Sequence, residues 1–153
     1  MFSKYFADRD FRVIGYDLSQ RMIELARKKV PHAHFFQMDM RKLDTASEAF
    51  DGLLCLYSFF LLDLRDAQQA LAEFRRVLKK NGVMMINFQE GTGARFIPEP
   101  THATQRTYYM QFYRIAEAQR LLEKARFTVL RCDIRDPVSN EMPHRKIFFT
   151  VRK

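Results

Sequence analysis

Two short apolar runs in this chain each stop on an acid. Val13-Ile14-Gly15-Tyr16 ends on Asp17 and passes through Leu18 and Ser19 toward Met22, and His34-Phe35-Phe36-Gln37-Met38 ends on Asp39 and Met40. A carboxylate at the tip of a strand, beside the start of a helix, is placed to accept hydrogen bonds from both hydroxyls of a ribose. A second one at the next strand tip can accept from an adenine amino group, so the pair points to a nucleoside ligand. Asp17 also has a plainer role open to it, capping the helix that follows; acids at two successive strand ends favour the ligand. The glycine-rich turn that normally precedes the first acid in a nucleotide-binding fold is not found in front of Asp17 and is expected upstream of Met1.

Other chemistries find less support. His32-Ala33-His34 is a lone pair with no cysteine or acid at a zinc spacing, so no metal site is expected. Cys55 and Cys132 each sit in an apolar run and read as buried, reduced thiols, which fits a cytoplasmic setting. The formal net charge of +8 would draw acidic partners. Its bases are dispersed, however, and Arg27-Lys28-Lys29, Arg75-Arg76 and Lys79-Lys80 fall where bases complement helix C-termini, so nucleic acid is not the expected partner. The longest apolar run, Leu53 to Leu62, covers about ten residues against roughly 20 for a membrane span. The start, Met1 to Arg9, has an acid and bases where a signal peptide needs an apolar core.

The elements that must position the two acids follow from periodicity. Phe2, Tyr5 and Phe6 recur at helical spacing, and a strand follows from Arg12 to Tyr16. Ser19 caps a helix over Gln20 to Lys29, which Val30-Pro31 ends, and Ala33 to Met38 is the next strand. Gly52 to Tyr57 suits a parallel strand covered on both faces. A helix carrying Ala67, Ala70, Leu71, Phe74, Val77 and Leu78 is expected to close at a left-handed Asn81-Gly82, before the buried strand Val83 to Phe88. Gln89 to Gln105 reads as a loop long enough to expect a function. Helix Ile115 to Lys124, strand Phe127 to Ile134, a hairpin loop with Pro137, Asn140 and Pro143, and strand Lys146 to Val151 complete the chain. Alternating strands and helices ending in a hairpin mean a mostly parallel sheet with one antiparallel strand, in a single domain over residues 1–153.

Four segments in order carry a resemblance: Val13-Ile14-Gly15-Tyr16-Asp17-Leu18-Ser19-Gln20-Arg21-Met22, Phe35-Phe36-Gln37-Met38-Asp39-Met40, Phe50-Asp51-Gly52-Leu53-Leu54-Cys55 and Val77-Leu78-Lys79-Lys80-Asn81-Gly82. With them the chain resembles the class I S-adenosylmethionine-dependent methyltransferases, in particular their small-molecule branch. The resemblance implies a Rossmann-like α/β fold with helices on both faces of the sheet and a C-terminal antiparallel hairpin strand. It implies S-adenosylmethionine as cofactor, S-adenosylhomocysteine as product and a small-molecule acceptor. It places Asp17, with Leu18, at the ribose hydroxyls, Asp39 on the adenine amino group, Met40 beside the adenine, and Leu56, Tyr57 and Ser58 near the methionine end. A nicotinamide-dependent oxidoreductase also uses an acid on a ribose, but Asp39-Met40 and the terminal hairpin argue against it.

The acceptor side is expected from loops at the carboxyl ends of the strands, which brings in Glu90, Tyr108, Tyr109, Tyr113 and His144. Tyr109 and His144 are the catalytic candidates, since a base is needed only if the acceptor must lose a proton.

The chain also departs from the resemblance. The family's first strand, central in its sheet, and the glycine-rich turn after it are not in the chain, and Gly91-Thr92-Gly93 follows a later strand. Weakened cofactor binding and self-association through an incomplete sheet are the expected consequences, with a non-catalytic remnant acting through partner contacts as the alternative reading. Leu61 stands where many relatives carry a histidine. Arg126 takes the place of a glycine at a left-handed position, at a cost of about 1 kcal/mol.

Overall fold

Short apolar stripes and strongly apolar strands build the cores of the computed structural model, which describes residues 2–98, 107–139 and 142–153. The chain divides into Met1–Asp44 and Thr45–Lys153.

The first unit runs α1 (Phe2–Ala7), β1 (Ile14–Asp17), α2 (Gln20–Lys29) and β2 (His34–Gln37). The two strands pair in parallel, Ile14 opposite His34 through Asp17 opposite Gln37. Ser19 caps α2, its hydroxyl accepting from the Met22 amide at 3.4 Å, and the last turn carries Arg27, Lys28 and Lys29 against the negative end of the helix dipole. Ile23, Val30, Ala33 and Phe35 form a small core with Ala7, Val13 and Ala26 packed on it. Gly15 is a glycine because Phe35 lies on it: a Cβ there would stand 2.5 Å from the ring.

The second unit contains β3 (Phe50–Cys55), a 3-10 turn (Phe59–Leu61), α3 (Leu64–Val77), β4 (Leu78–Glu90), β5 (Ala94–Pro98), β6 (Thr107–Tyr113), α4 (Ile115–Lys124), β7 (Thr128–Arg135) and β8 (Lys146–Arg152). Its sheet runs β5-β6-β4-β8-β7, with β3 also on β4. β3 and β6 pair with β4 in parallel, whereas β8 lies antiparallel to β4 and to β7. Alternation along β4 sends Met84, Ile86 and Phe88, all fully buried, into the core. Phe88 meets the rings of Tyr113, Phe59 and Phe149 edge-on at 5.0, 5.3 and 5.8 Å. Asp63 caps α3 by accepting from the Asp66 amide at 2.8 Å, and Ala67, Ala70, Leu71, Phe74 and Val77 are its buried stripe.

The α/β architecture expected from the sequence is present, and three local expectations change. Helix α3 stops at Val77 rather than at Asn81-Gly82, because Leu78 is fully buried and already pairs with Phe50. Asn81 does take the left-handed conformation, with φ +64°, inside the register shift of β4 against β3. The segment expected to be a loop from Gln89 to Gln105 holds the end of β4 and all of β5, which turns back along β6 from Pro98 opposite Thr107 to Ala94 opposite Gln111. Gly93, at φ +68°, makes the turn, and its carbonyl accepts from the Phe112 amide at 2.8 Å. Cys55 is buried as expected, but Cys132 is exposed on β7. Arg126 adopts φ +62°, the left-handed conformation expected at that position. Asn140 lies outside the described residues. Among the described residues no helix is long and apolar enough to cross a membrane, and no group of three or more His, Cys, Asp or Glu could hold a metal ion.

Candidate functional site

In the first unit the parallel register puts the two strand-end acids at the same edge. Asp17 is the last residue of β1, opposite Gln37, and Asp39 follows Gln37 by two residues. The Met38 amide donates to the Asp17 carbonyl at 3.0 Å and continues the pairing past the end of β2. Asp17 is exposed, and its Oδ1 accepts from the Ser19 amide at 2.8 Å. It therefore shapes the turn into α2 while Ser19 caps the helix, and its Oδ2 has no partner among the described residues. Leu18 is exposed, and its carbonyl accepts from Gln37 Nε2 at 2.9 Å.

Asp39 is more committed. Both its oxygens accept from Arg41 Nε at 3.0 Å, and Oδ1 also takes the Arg41 amide at 2.8 Å. The side-chain hydrogen bonds from Arg41 are the main reason the Asp39 carboxyl is held below the usual carboxylate range. An adenine amino group there has to share an acceptor that Arg41 already occupies. Met40 is half-buried.

In the second unit, β3 ends at Cys55 and the chain turns through Leu56, Tyr57 and Ser58. Tyr57 has φ +62°, a conformation that a side chain other than glycine adopts at a cost of roughly 1–2 kcal/mol. Long-range partners hold it there. Its amide donates to Asn87 Oδ1 at 2.6 Å, its hydroxyl accepts from Arg135 at 3.0 Å, and its ring meets Phe148 edge-on at 6.5 Å. Asn87 is fully buried on β4, and among the described residues its Nδ2 has no hydrogen-bond partner. Ser58 Oγ lies 3.7 Å from Cys55 Sγ, and burial pushes the Cys55 thiol up to about 12, which removes it as a nucleophile at neutral pH. Sequence reasoning did not single out Asn87; the available signal was one amide inside the apolar run Met84-Met85-Ile86-Asn87-Phe88.

The acceptor candidates separate by their partners. Glu90 is paired with Arg145, which donates to its Oε1 at 2.9 Å. Tyr109 donates to Gln111 Oε1 at 2.9 Å, and burial, with Asp63 nearby, raises its phenol. Tyr108 donates to Met142 Sδ at 3.4 Å. The Tyr113 hydroxyl is buried without a hydrogen-bond partner among the described residues, and burial pushes its ionisation well upward. His144 is half-buried, its ring edge-on to Phe112 at 4.7 Å. Burial first, then Arg95 and Lys146, lower its pKa, so the imidazole is neutral at pH 7. Leu61 is exposed on the 3-10 turn.

The family described as methyltransferase domain matches residues 1–82. The chain is 36% identical over 75 residues to the demethylmenaquinone methyltransferase of Chlorobaculum parvum, a match covering 49% of this chain and 30% of that protein. It is 32% identical over 72 residues to a ubiquinone/menaquinone biosynthesis C-methyltransferase of Campylobacter jejuni, covering 47% of this chain and again 30% of that protein. The match therefore spans about 30% of the length of these curated relatives. Among solved structures, a S-adenosylmethionine-dependent methyltransferase from Methanosarcina mazei superposes with a TM-score of 0.88 at 16% identity, covering 99% of this chain and 86% of that one, a likeness of fold. The 1,6-didemethyltoxoflavin-N1-methyltransferase of Burkholderia thailandensis, solved with 1,6-didemethyltoxoflavin and S-adenosylhomocysteine bound, superposes with a TM-score of 0.74 at 25% identity, covering 98% of this chain and 64% of that one.

Proposed function

The chain belongs to the methyltransferase-domain family, and on that premise we propose that it takes part in methyl transfer from S-adenosylmethionine to a small-molecule acceptor. The observation that carries this reading is Asp17: a strand-end carboxylate with one oxygen fixed by the Ser19 amide and the other open to a diol. The donor set fits the nucleoside. Within the Met1–Asp44 unit, Asp17 and Leu18 receive the ribose and Asp39 and Met40 the adenine. When bound, S-adenosylmethionine supplies an electrophilic methyl group on a sulfonium.

The chain's own residues then orient and deprotonate. His144, neutral at pH 7, accepts a proton from the acceptor, while Tyr109, its hydroxyl committed to Gln111, contributes contact rather than base. A small-molecule acceptor is in keeping with relatives named for demethylmenaquinone and for 1,6-didemethyltoxoflavin. Calorimetry with S-adenosylhomocysteine tests the reading. The chain is expected to bind it, and Asp17→Ala to weaken it by tenfold or more, about 1.4 kcal/mol per decade. Absence of binding to the unmutated chain overturns it.

A further inference from the structure

A hollow of about 560 Å³ opens in the second unit between α3 and α4. Part of its lining is apolar: Leu121 and Ala125 are half-buried there, Ala72 is exposed and adds only a methyl group, and Leu71 is fully buried beside them. The charged part is Arg75, Lys124 and Arg126, and no acid lines the hollow. Its volume falls within the range of small-molecule sites, roughly 300–1,000 Å³.

Bases near the ends of helices commonly serve the carbonyls there, and one of the three does so. Arg75 donates to the Arg126 carbonyl at 2.6 Å, with its guanidinium 6.0 Å from the centroid of the Phe127 ring. This bond ties α3 to the end of α4 and fixes the guanidinium at the hollow. Lys124 and Arg126 differ: among the described residues neither side chain has a hydrogen-bond or ion-pair partner. Elsewhere in the unit comparable cations are matched, Arg76 by Glu73, Lys79 by Asp51 and Arg145 by Glu90. Glu123, the acid beside Lys124 in the chain, accepts from Gln119 at 2.8 Å and does not line the hollow. The backbone of Arg126 is a second and independent sign. Its φ of +62° is a strain that glycine would relieve, and such strain gathers where a side chain clamps a ligand.

We propose that this hollow is a second ligand site, and that it takes a small organic acid made of an apolar body and a carboxylate. The carboxylate meets Arg75 and Arg126, whose planar forks match its two oxygens, and Lys124 adds to the local positive potential. The apolar body covers Leu121 and Ala125 and removes their surface from water. Both halves of the ligand are needed. Exposed charges alone are screened by salt, and the apolar lining alone is too small to hold a neutral molecule tightly. The site is independent of the methyl-transfer reading, because none of its residues takes part in that chemistry.

Calorimetry on the full chain tests this with octanoate as the probe, and with 1-octanol and acetate as its neutral and its short counterparts. Octanoate is expected to bind at least tenfold more tightly than either. Arg126→Gly is expected to weaken octanoate at least fivefold while the melting temperature holds or rises, so that the loss is one of binding and not of folding. Lys80→Gln removes an exposed positive charge that does not line the hollow, and is expected to change the affinity less than twofold. Ala72→Trp leaves the charge unaltered and fills the hollow from an exposed position on α3; it too is expected to weaken octanoate at least fivefold. No binding of octanoate, equal affinities for the three probes, equal effects of Arg126→Gly and Lys80→Gln, or full affinity in Ala72→Trp overturns the proposal. Vesicles of phosphatidylglycerol give the last arm. Binding to them that Arg126→Gly abolishes, in a chain that does not bind octanoate, assigns the three cations to a membrane surface and overturns the small-molecule site.

Discussion

The Met1–Asp44 unit and the Thr45–Lys153 unit hold their candidate binding groups in opposite ways. In the first, each acid is fixed by a residue two positions on: Asp17 by the Ser19 amide and Asp39 by Arg41. In the second, Tyr57 is held by Asn87 and Arg135, 30 and 78 residues away. Local pairing needs little core, and the first unit has four buried residues in its cluster. Long-range pairing needs a sheet that does not shift, and the second unit supplies one around Phe88. The contrast teaches that the acids can form their turns from local sequence, whereas the strained turn at Tyr57 exists only as long as β4 and β7 are in place.

The largest expected effect tests that dependence on the sheet. Phe88→Ala removes a fully buried ring with three aromatic neighbours, and should destabilise the protein by about 5 kcal/mol in urea denaturation. Phe35→Ala, in the smaller cluster that can collapse around the gap, should cost about 3 kcal/mol. Equal losses, or a larger one at Phe35, would break the comparison.

Next in size is the hydrogen bond that reaches furthest into the site. Asn87→Ala deletes the acceptor for the Tyr57 amide and removes the backbone support of a left-handed tyrosine that Arg135 and Phe148 still hold by its side chain, so about 2 kcal/mol should be lost. Ser19→Ala, the local counterpart in the first unit, should lose about 1 kcal/mol, the usual worth of a helix cap. If Ser19→Ala proves the costlier of the two by denaturant titration, long-range support is not what holds the second unit's site.

The same division decides what was legible in the sequence. Asp17, Ser19, α2 and the strand before Asp39 follow from period, cap and charge within a dozen residues, and the structure has them where the spacing placed them. Arg126 was legible as well, because a left-handed position at a helix end leaves a local mark, and its φ is +62°. The end of α3 was misplaced because helical periodicity continues through Leu78, and only its pairing with Phe50 shows that the chain has become a strand. β5 was missed for a similar reason: Gly91, Gly93 and Pro98 read as loop, and the strand exists through β6. The partner of Asp39 was missed at close range, since an arginine two residues on carries no periodic signal.

Arg126→Gly offers a smaller gain rather than a loss. Glycine adopts φ +62° freely, and the Arg126 carbonyl that accepts from Arg75 at 2.6 Å is kept, so stability should rise by about 1 kcal/mol, less the entropy glycine adds to the unfolded chain. Thermal unfolding that shows a loss would mean that the Arg126 side chain contributes more than its backbone costs.

The smallest effect separates local ionic support from long-range neutral support by pH. The Arg41 hydrogen bonds depress the Asp39 pKa in the folded state. A group depressed in this way contributes stability that is fully present above its unfolded pKa of about 3.9 and is lost as pH falls through the lower folded value. The pair is partly exposed, with side chains 36% and 28% accessible, so its worth is about 0.5 kcal/mol and shrinks in salt. Arg41→Gln should therefore be slightly less stable than the unmutated chain from pH 5 to 7, and the two curves should meet as pH falls below the usual carboxylate range. The penalty of Asn87→Ala should stay constant across the same acid limb, because neither the Tyr57 amide nor the Asn87 carbonyl titrates. A pH-independent offset for Arg41→Gln would show that Arg41 acts by packing, and the two units would then differ in the reach of their contacts but not in their chemistry.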